Sequence, residues 1–167
     1  MCGHCSICTQ NVVQACITRI EEGKVMGDNA VLIRRWFEQV WNQGDESTID
    51  ALCAKDAIGY GQAEHGADIH GPEQFKQLWR GFRAAFSEIH VEIHDTIEEG
   101  DRVVARWSLT MKHTGPFMGK PATGKVVSVN GTSIQRFTGG QIIAGWDNWD
   151  QLGLLVQLGA VPPAKFM

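Results

Sequence analysis

The sequence lacks what a membrane span, a nucleic-acid binder or a phosphate-loop enzyme requires. No apolar run approaches the roughly 18 residues that cross a bilayer. The opening MCGHCSICTQNVVQ has no basic start and no long apolar stretch, so it does not read as a signal peptide, and a cytoplasmic location is expected. Positive charge is scarce: 15 Lys+Arg against 19 Asp+Glu give a net charge of −4, which argues against a nucleic-acid partner. The densest basic spots, Arg34–Arg35 and Lys76, Arg80 and Arg83, fall on expected helices and read as solvated helix faces. No GK[ST] follows Gly115, Gly119 or Gly124, so these glycines read as turns. Metal motifs are incomplete. Cys2, Cys5 and Cys8 form C-x2-C-x2-C, with His4 and Cys16 nearby, but the second CxxC of a usual zinc site is missing. They are either a ligand cluster or an oxidisable tail, and a reducing cytoplasm does not sustain disulfides. His90 and His94 would lie roughly 13 Å apart on one strand, too far to share an ion. His65 and His70 have no paired acidic motif. No metal site is expected in the domain.

What is present is the material of one domain. The 167 residues, 43% hydrophobic and 20% charged, can bury a sizeable core. Three segments are expected: an extension over 1–27, a domain over 28–160 and a tail over 161–167, with Met26 a second start. In the extension Val13, Cys16, Ile17 and Ile20 repeat at helical spacing. From Asp28, a candidate N-cap, Ile33, Trp36, Phe37, Val40 and Trp41 share a helix face. Ser47 can cap a second helix, and 57–62 reads as a short strand. Gly71-Pro72 opens a third helix with Phe75, Leu78, Trp79, Phe82 and Phe86 as its stripe. After Ser87 the period becomes two: Ile89, Val91 and Ile93, then Val103, Ala105, Trp107, Leu109 and Met111 beyond a Gly100-Asp101 turn. A long connection runs from His113 to Gly124. Strands follow over 127–137 and 142–149, joined at Gly139-Gly140, and a closing helical turn over 151–158. Early helices followed by a strand meander predict an α+β domain whose curled sheet leaves a concave side for a ligand.

Three stretches, in order, carry a family resemblance. They are Arg35-Trp36-Phe37-x3-Trp41-Asn42-x-Gly44-Asp45, His113-x-Gly115-x3-Gly119-x-Pro121-x-Thr123-Gly124, and Trp146-Asp147-x2-Asp150-x2-Gly153-x3-Gln157-Leu158-Gly159. Over residues 29 to about 160 the chain resembles the SnoaL-like polyketide cyclases of the NTF2-like superfamily. The resemblance implies a cone: a curved antiparallel sheet wrapped on about three N-terminal helices. It also implies ring closure by an intramolecular aldol reaction, with an acidic residue as general acid/base in an apolar pocket and neither metal nor organic cofactor. Asp147 stands where that family has its catalytic aspartate. Ser133 stands where it has a histidine and Gly131 where it has a glutamine; its asparagine near residue 59 is missing, unless Tyr60 or Gln62 serves.

The residues carry their own argument. Asp147 lies between Trp146 and Trp149, where lost solvation would raise its pKa toward that of a useful base; alternatively it accepts hydrogen bonds from a loop. Asp150 reads as a helix cap. His113 is either a second catalytic group at a pocket rim or a loop anchor. Tyr60, Trp79, Trp107 and Trp149 are candidate lining for a flat substrate, or core. Ser133 and Gln135 face the same side as Gly131 and can offer polar contacts. Arg106 is followed by Trp107-Ser108 and lacks the Arg-x-Asp of the related epoxide hydrolases. The expected ligand is a small hydrophobic or carbonyl-containing molecule, and the expected assembly a homodimer. The alternative to an enzyme is a module that binds such a molecule, or a protein, without catalysis.

Overall fold

The computed structural model describes Ile20–Glu21, Lys24–Val25 and residues 27–162. Strands β1 (Ile20–Glu21) and β2 (Lys24–Val25) form a two-stranded antiparallel ladder, so the helical spacing does not extend to Ile20. Cys2, Cys5, Cys8 and most of the expected first helix lie outside the described residues.

Helix α1 (Asp28–Arg35) continues into wider helical turns over Trp36–Asn42, which end with Gln43 N–H donating to the Glu38 carbonyl five residues back. Ile33, Trp36, Phe37 and Val40 are buried as their spacing demands. The cap differs from expectation. The N-cap residue is Gly27, and Asp28 lies in the first turn. The Ala30 N–H donates to Glu98 Oε2 at 2.8 Å, so a strand carboxylate supplies the partner that the helix start lacks. At α2 (Ser47–Leu52) Asp45 takes the role expected of Ser47. One of its oxygens accepts from the Ser47 N–H and hydroxyl, the other from the Thr48 hydroxyl.

Helix α3 (Gly71–Ala85) carries Pro72 in its first turn, where the missing N–H costs nothing. Trp79 is buried, and its indole N–H donates to the Val40 carbonyl at 3.1 Å, pegging α3 to the Trp36–Asn42 segment. Lys76 is buried along its stem and binds Asp50 at 2.6 Å and Glu73 at 2.9 Å, tying α3 to α2.

The main sheet comprises β3 (Cys53–Tyr60), β4 (Ile69–His70), β5 (Phe86–Glu99), β6 (Arg102–His113), β7 (Val126–Thr138) and β8 (Gln141–Trp149), in the order β4-β3-β8-β7-β6-β5. Every junction is antiparallel except β3–β8, which is parallel. Along β6 the odd positions Val103 to Met111 are all buried and face the helices. β5 breaks register between Ser87 and His90 and again between Ile93 and Asp95, with Glu88 at φ 52°. Such bulges bend a strand and sharpen its twist, which curls the sheet around the helices. Helix α4 (Gln151–Gln157) closes the end. Asp150 caps it by accepting the Gly153 N–H at 2.7 Å, and Leu154 and Leu158 enter the core. The fold is the expected α+β cone.

Two glycines of α3 should respond oppositely. Gly71 has φ 68°, and a Cβ there would lie 2.6 Å from the Lys55 carbonyl oxygen, whereas one at exposed Gly81 meets nothing within 4 Å. Gly71→Ala is expected to cost about 1–3 kcal/mol. Gly81→Ala should add about 0.5–1 kcal/mol through helix propensity. Urea denaturation of the two variants checks both signs.

Candidate functional site

The β6–β7–β8 register sets the site. Ala105 pairs with Ser133 and Ser133 with Asp147; one step along, Trp107 pairs with Gly131 and Gly131 with Trp149. Since side chains alternate, Trp107, Ser133, Gln135, Asp147 and Trp149 all belong to the concave face. There the Ser133 hydroxyl donates to Asp147 Oδ1, and Gln62 Nε2, from the turn after β3, donates to Oδ2. The Trp107 indole N–H donates to Ser133 Oγ at 2.9 Å. Asp147 keeps partial solvent contact, yet its carboxylate is densely surrounded by protein. Burial raises its pKa above the usual aspartate range, and the Ser133 hydrogen bond pulls it part of the way back.

Of the other expected residues, Ser133 is 1% exposed, Gln135 is buried with Oε1 lacking a partner, and Trp149 is half-buried across from Gly131. Gln62, weighed only as a stand-in for an absent asparagine, is brought directly to the carboxylate. Its signal in the sequence is slight, because it sits in a turn and its contact bridges 85 positions.

Three residues lie elsewhere. Tyr60 pairs with Trp146 and stacks on it at 5.0 Å, on the sheet face opposite Asp147. Trp79 is the peg between helices described above. His113 is fully buried at the end of β6, and at strand rise it lies roughly 25 Å from the Ala105 level. It is not at a rim: its Nδ1 accepts the Thr123 N–H at 3.2 Å and lies 3.0 Å from the Thr123 hydroxyl, while its ring packs on Phe86. This geometry anchors the long connection.

His65, His70, His90 and His94 are exposed, and among the described residues no group of three or more His, Cys, Asp or Glu could hold a metal ion. Burial pushes the Cys53 thiol up to about 11, so it is no nucleophile near neutrality. Arg106 is committed to Asp95 on the outer face, with Nε at 2.9 Å. A shallow depression of about 470 Å³ opens among Arg106, Asn130, Thr132, Asn148 and Trp149; Asp147 is not in its lining.

The family model of the SnoaL-like polyketide cyclases matches residues 31–158. The chain belongs to the SnoaL-like polyketide cyclase family. Within that family it is similar to the aklanonic acid methyl ester cyclase DnrD of Streptomyces peucetius, 33% identical over 129 residues, covering 77% of this chain and 88% of the relative. It is also similar to the nogalonic acid methyl ester cyclase of Streptomyces nogalater, 34% identical over 121 residues, covering 71% and 89%. Among solved structures, TsrD from Streptomyces laurentii superposes with a TM-score of 0.71 at 26% identity, covering 85% of this chain and 99% of TsrD. A ketosteroid-isomerase-like protein from Catenulispora acidiphila, 21% identical with a TM-score of 0.65 over 79% of this chain and 97% of that one, shares the fold. No helix of the described residues is long and apolar enough to cross a membrane.

In this SnoaL-like site the ionised carboxylate is worse off in the folded protein than in water. A carboxyl with a raised folded pKa contributes stability that is full below its unfolded value and is lost as pH rises through the folded one. Asp147→Asn removes the charge and should be more stable than wild type by about 1 kcal/mol at neutral pH. The difference should shrink in acid as Asp147 protonates. Denaturation at both pH values checks this; a comparable loss at neutral pH would make Asp147 a structural acceptor instead.

Proposed function

We propose that the protein closes a ring in a carbonyl-rich, polyketide-derived methyl ester by intramolecular aldol chemistry, with Asp147 as general acid/base. The observation that carries this reading is the carboxylate itself: half-enclosed on the concave face, lifted in pKa, and held by one donor on each oxygen. The substrates named for the cyclase relatives supply the substrate class.

The step balances within one molecule. A proton leaves a carbon flanked by carbonyl groups for Asp147, and the enolate carbon bonds to a ketone carbon of the same substrate. The resulting alkoxide then takes the proton back. No electrons are gained or lost, so the reaction calls for no redox cofactor. Gln62 and Ser133 fix the carboxylate rotor, Trp107 and Trp149 offer flat apolar surface, and Gln135 offers an acceptor for a substrate hydroxyl. Because the aspartate is raised, activity should increase with pH on an acid limb above the usual aspartate range.

Aklanonic and nogalonic acid methyl esters are suitable probes. Asp147→Asn should lower kcat/KM by about 10²–10⁴-fold, and Ser133→Ala or Gln62→Ala by about tenfold each. A wild-type rate in Asp147→Asn removes the residue from the chemistry. Tight binding of these esters without turnover would establish the binding module instead.

We also infer a cytoplasmic homodimer. On the outer face Ile97, Val104, Ile134, Trp146 and Tyr60 are successive cross-strand partners, forming one apolar stripe across five strands. Ile97 is 63% and Tyr60 39% exposed. A stripe of this kind suits a second copy laid sheet to sheet. Ile134→Glu should convert a dimer to monomer in analytical ultracentrifugation; a wild-type monomer at high concentration would refute the pairing.

A further inference from the structure

We infer that Trp107 is a positioning residue for Asp147 and acts through Ser133: the indole N–H occupies the serine oxygen and commits the serine proton to the carboxylate. An indole offers a donor and no acceptor. A serine hydroxyl has a single proton that rotates to suit its neighbours. Ser133 is 1% exposed, so its neighbours decide. With Trp107 Nε1 donating to Oγ at 2.9 Å, the hydroxyl proton turns to Asp147 Oδ1, where the structure places the bond.

The indole is held for this task. A Cβ on Gly131 would lie 2.3 Å from its Cζ2, so the ring occupies space that only glycine leaves open. The Phe37 ring packs against it at 6.0 Å, tilted 46°. Gly131 on β7 and Phe37 on the first helical segment thus fix an indole on β6 that orients a serine on β7 toward an aspartate on β8.

Neighbouring charges do not compete for the role. Arg106 and Arg136 point to the outer face and pair with Asp95 and Asp101. Asp68 accepts the Gly61 N–H, Asp150 caps α4, and Tyr60 stacks on Trp146 across the sheet. The direct partners of Asp147 are Ser133 and Gln62.

The inference rests on Asp147 as the base only for its functional meaning; its test needs no substrate. The Asp147 carboxyl carbon is titrated by NMR in wild type, Trp107→Phe, Ser133→Ala and the double variant, with the Trp107 indole N–H followed in parallel. Trp107→Phe, which keeps a ring and removes the donor, should move the Asp147 midpoint to higher pH. Ser133→Ala should move it at least as far, and the double variant should match Ser133→Ala. In wild type the indole N–H resonance should shift as Asp147 titrates and lose that response in Ser133→Ala. This last readout stands even where Trp107→Phe fails to fold. An indole signal flat across the Asp147 titration, or additive effects in the double variant, overturns the relay. A relay that holds in a protein without cyclase turnover refutes the cyclase reading alone, and turnover with a flat indole signal refutes the relay alone.

Discussion

The pairing of Ser133 with Asp147 across β7 and β8 is the constraint on which the site depends. A strand has a period of two, so a slip of one residue would send Asp147 to the outer face and bring Trp146 inward. Four features hold the register. The Gly139-Gly140 turn, with the register shift between Arg136 and Phe137, sets the hairpin, and the concave face of β7 buries Val127, Val129, Ser133, Gln135 and Phe137. Parallel pairing with β3 sets Gly59 opposite Gly145 and Tyr60 opposite Trp146. The Asp150 cap then turns the chain into α4 as soon as β8 ends.

The strand faces were legible where the apolar alternation is unbroken, as in β6, but the β7–β8 register was not, because it shifts between Ile142 and Ala144. Val103 to Met111 announce one buried face, and the glycine turns mark where each strand reverses. Bulges were not legible: Glu88 and the shift near Asp95 leave the hydrophobic pattern almost intact while changing strand curvature. Asp150 caps α4 as its position suggested, but the caps expected at α1 and α2 failed for a related reason. A carboxylate sat at each place where one was needed, but at α1 it was Glu98, reached across the sheet and 68 positions away. Local sequence can show that a cap is required without showing which residue supplies it.

The site divides along the same line. Asp147 stood out because two tryptophans flank it, and Ser133 because it lies in register with Gly131 and Gln135. Tyr60 and Trp79 were indistinguishable from lining residues by type alone; the structure assigns one to the outer stripe and the other to a helix–helix peg. His113 carried the right chemistry in the wrong place, since a histidine at the end of a strand can turn to the concave centre or to its own loop, and Thr123 decides for the loop. Gln62 was nearly invisible, because its role depends on the turn after β3 meeting the far end of β8.

The electrostatics of Asp147 follow from a contest that the sequence poses and the fold resolves. Surrounding a carboxylate with protein penalises its charge, and hydrogen-bond donors offset that penalty without abolishing it. Two donors from uncharged side chains leave the balance on the side of burial, so the carboxyl stays above the usual aspartate range. A lysine or arginine in place of Gln62 would pull the carboxylate down and leave it a weak base. An apolar residue there would leave one oxygen unheld and the carboxylate free to rotate. Neutral donors on both oxygens supply orientation while leaving much of the basicity in place, and the indole behind Ser133 extends the same logic by one residue: Trp107 can direct a proton toward the carboxylate, but it cannot bring a charge with it.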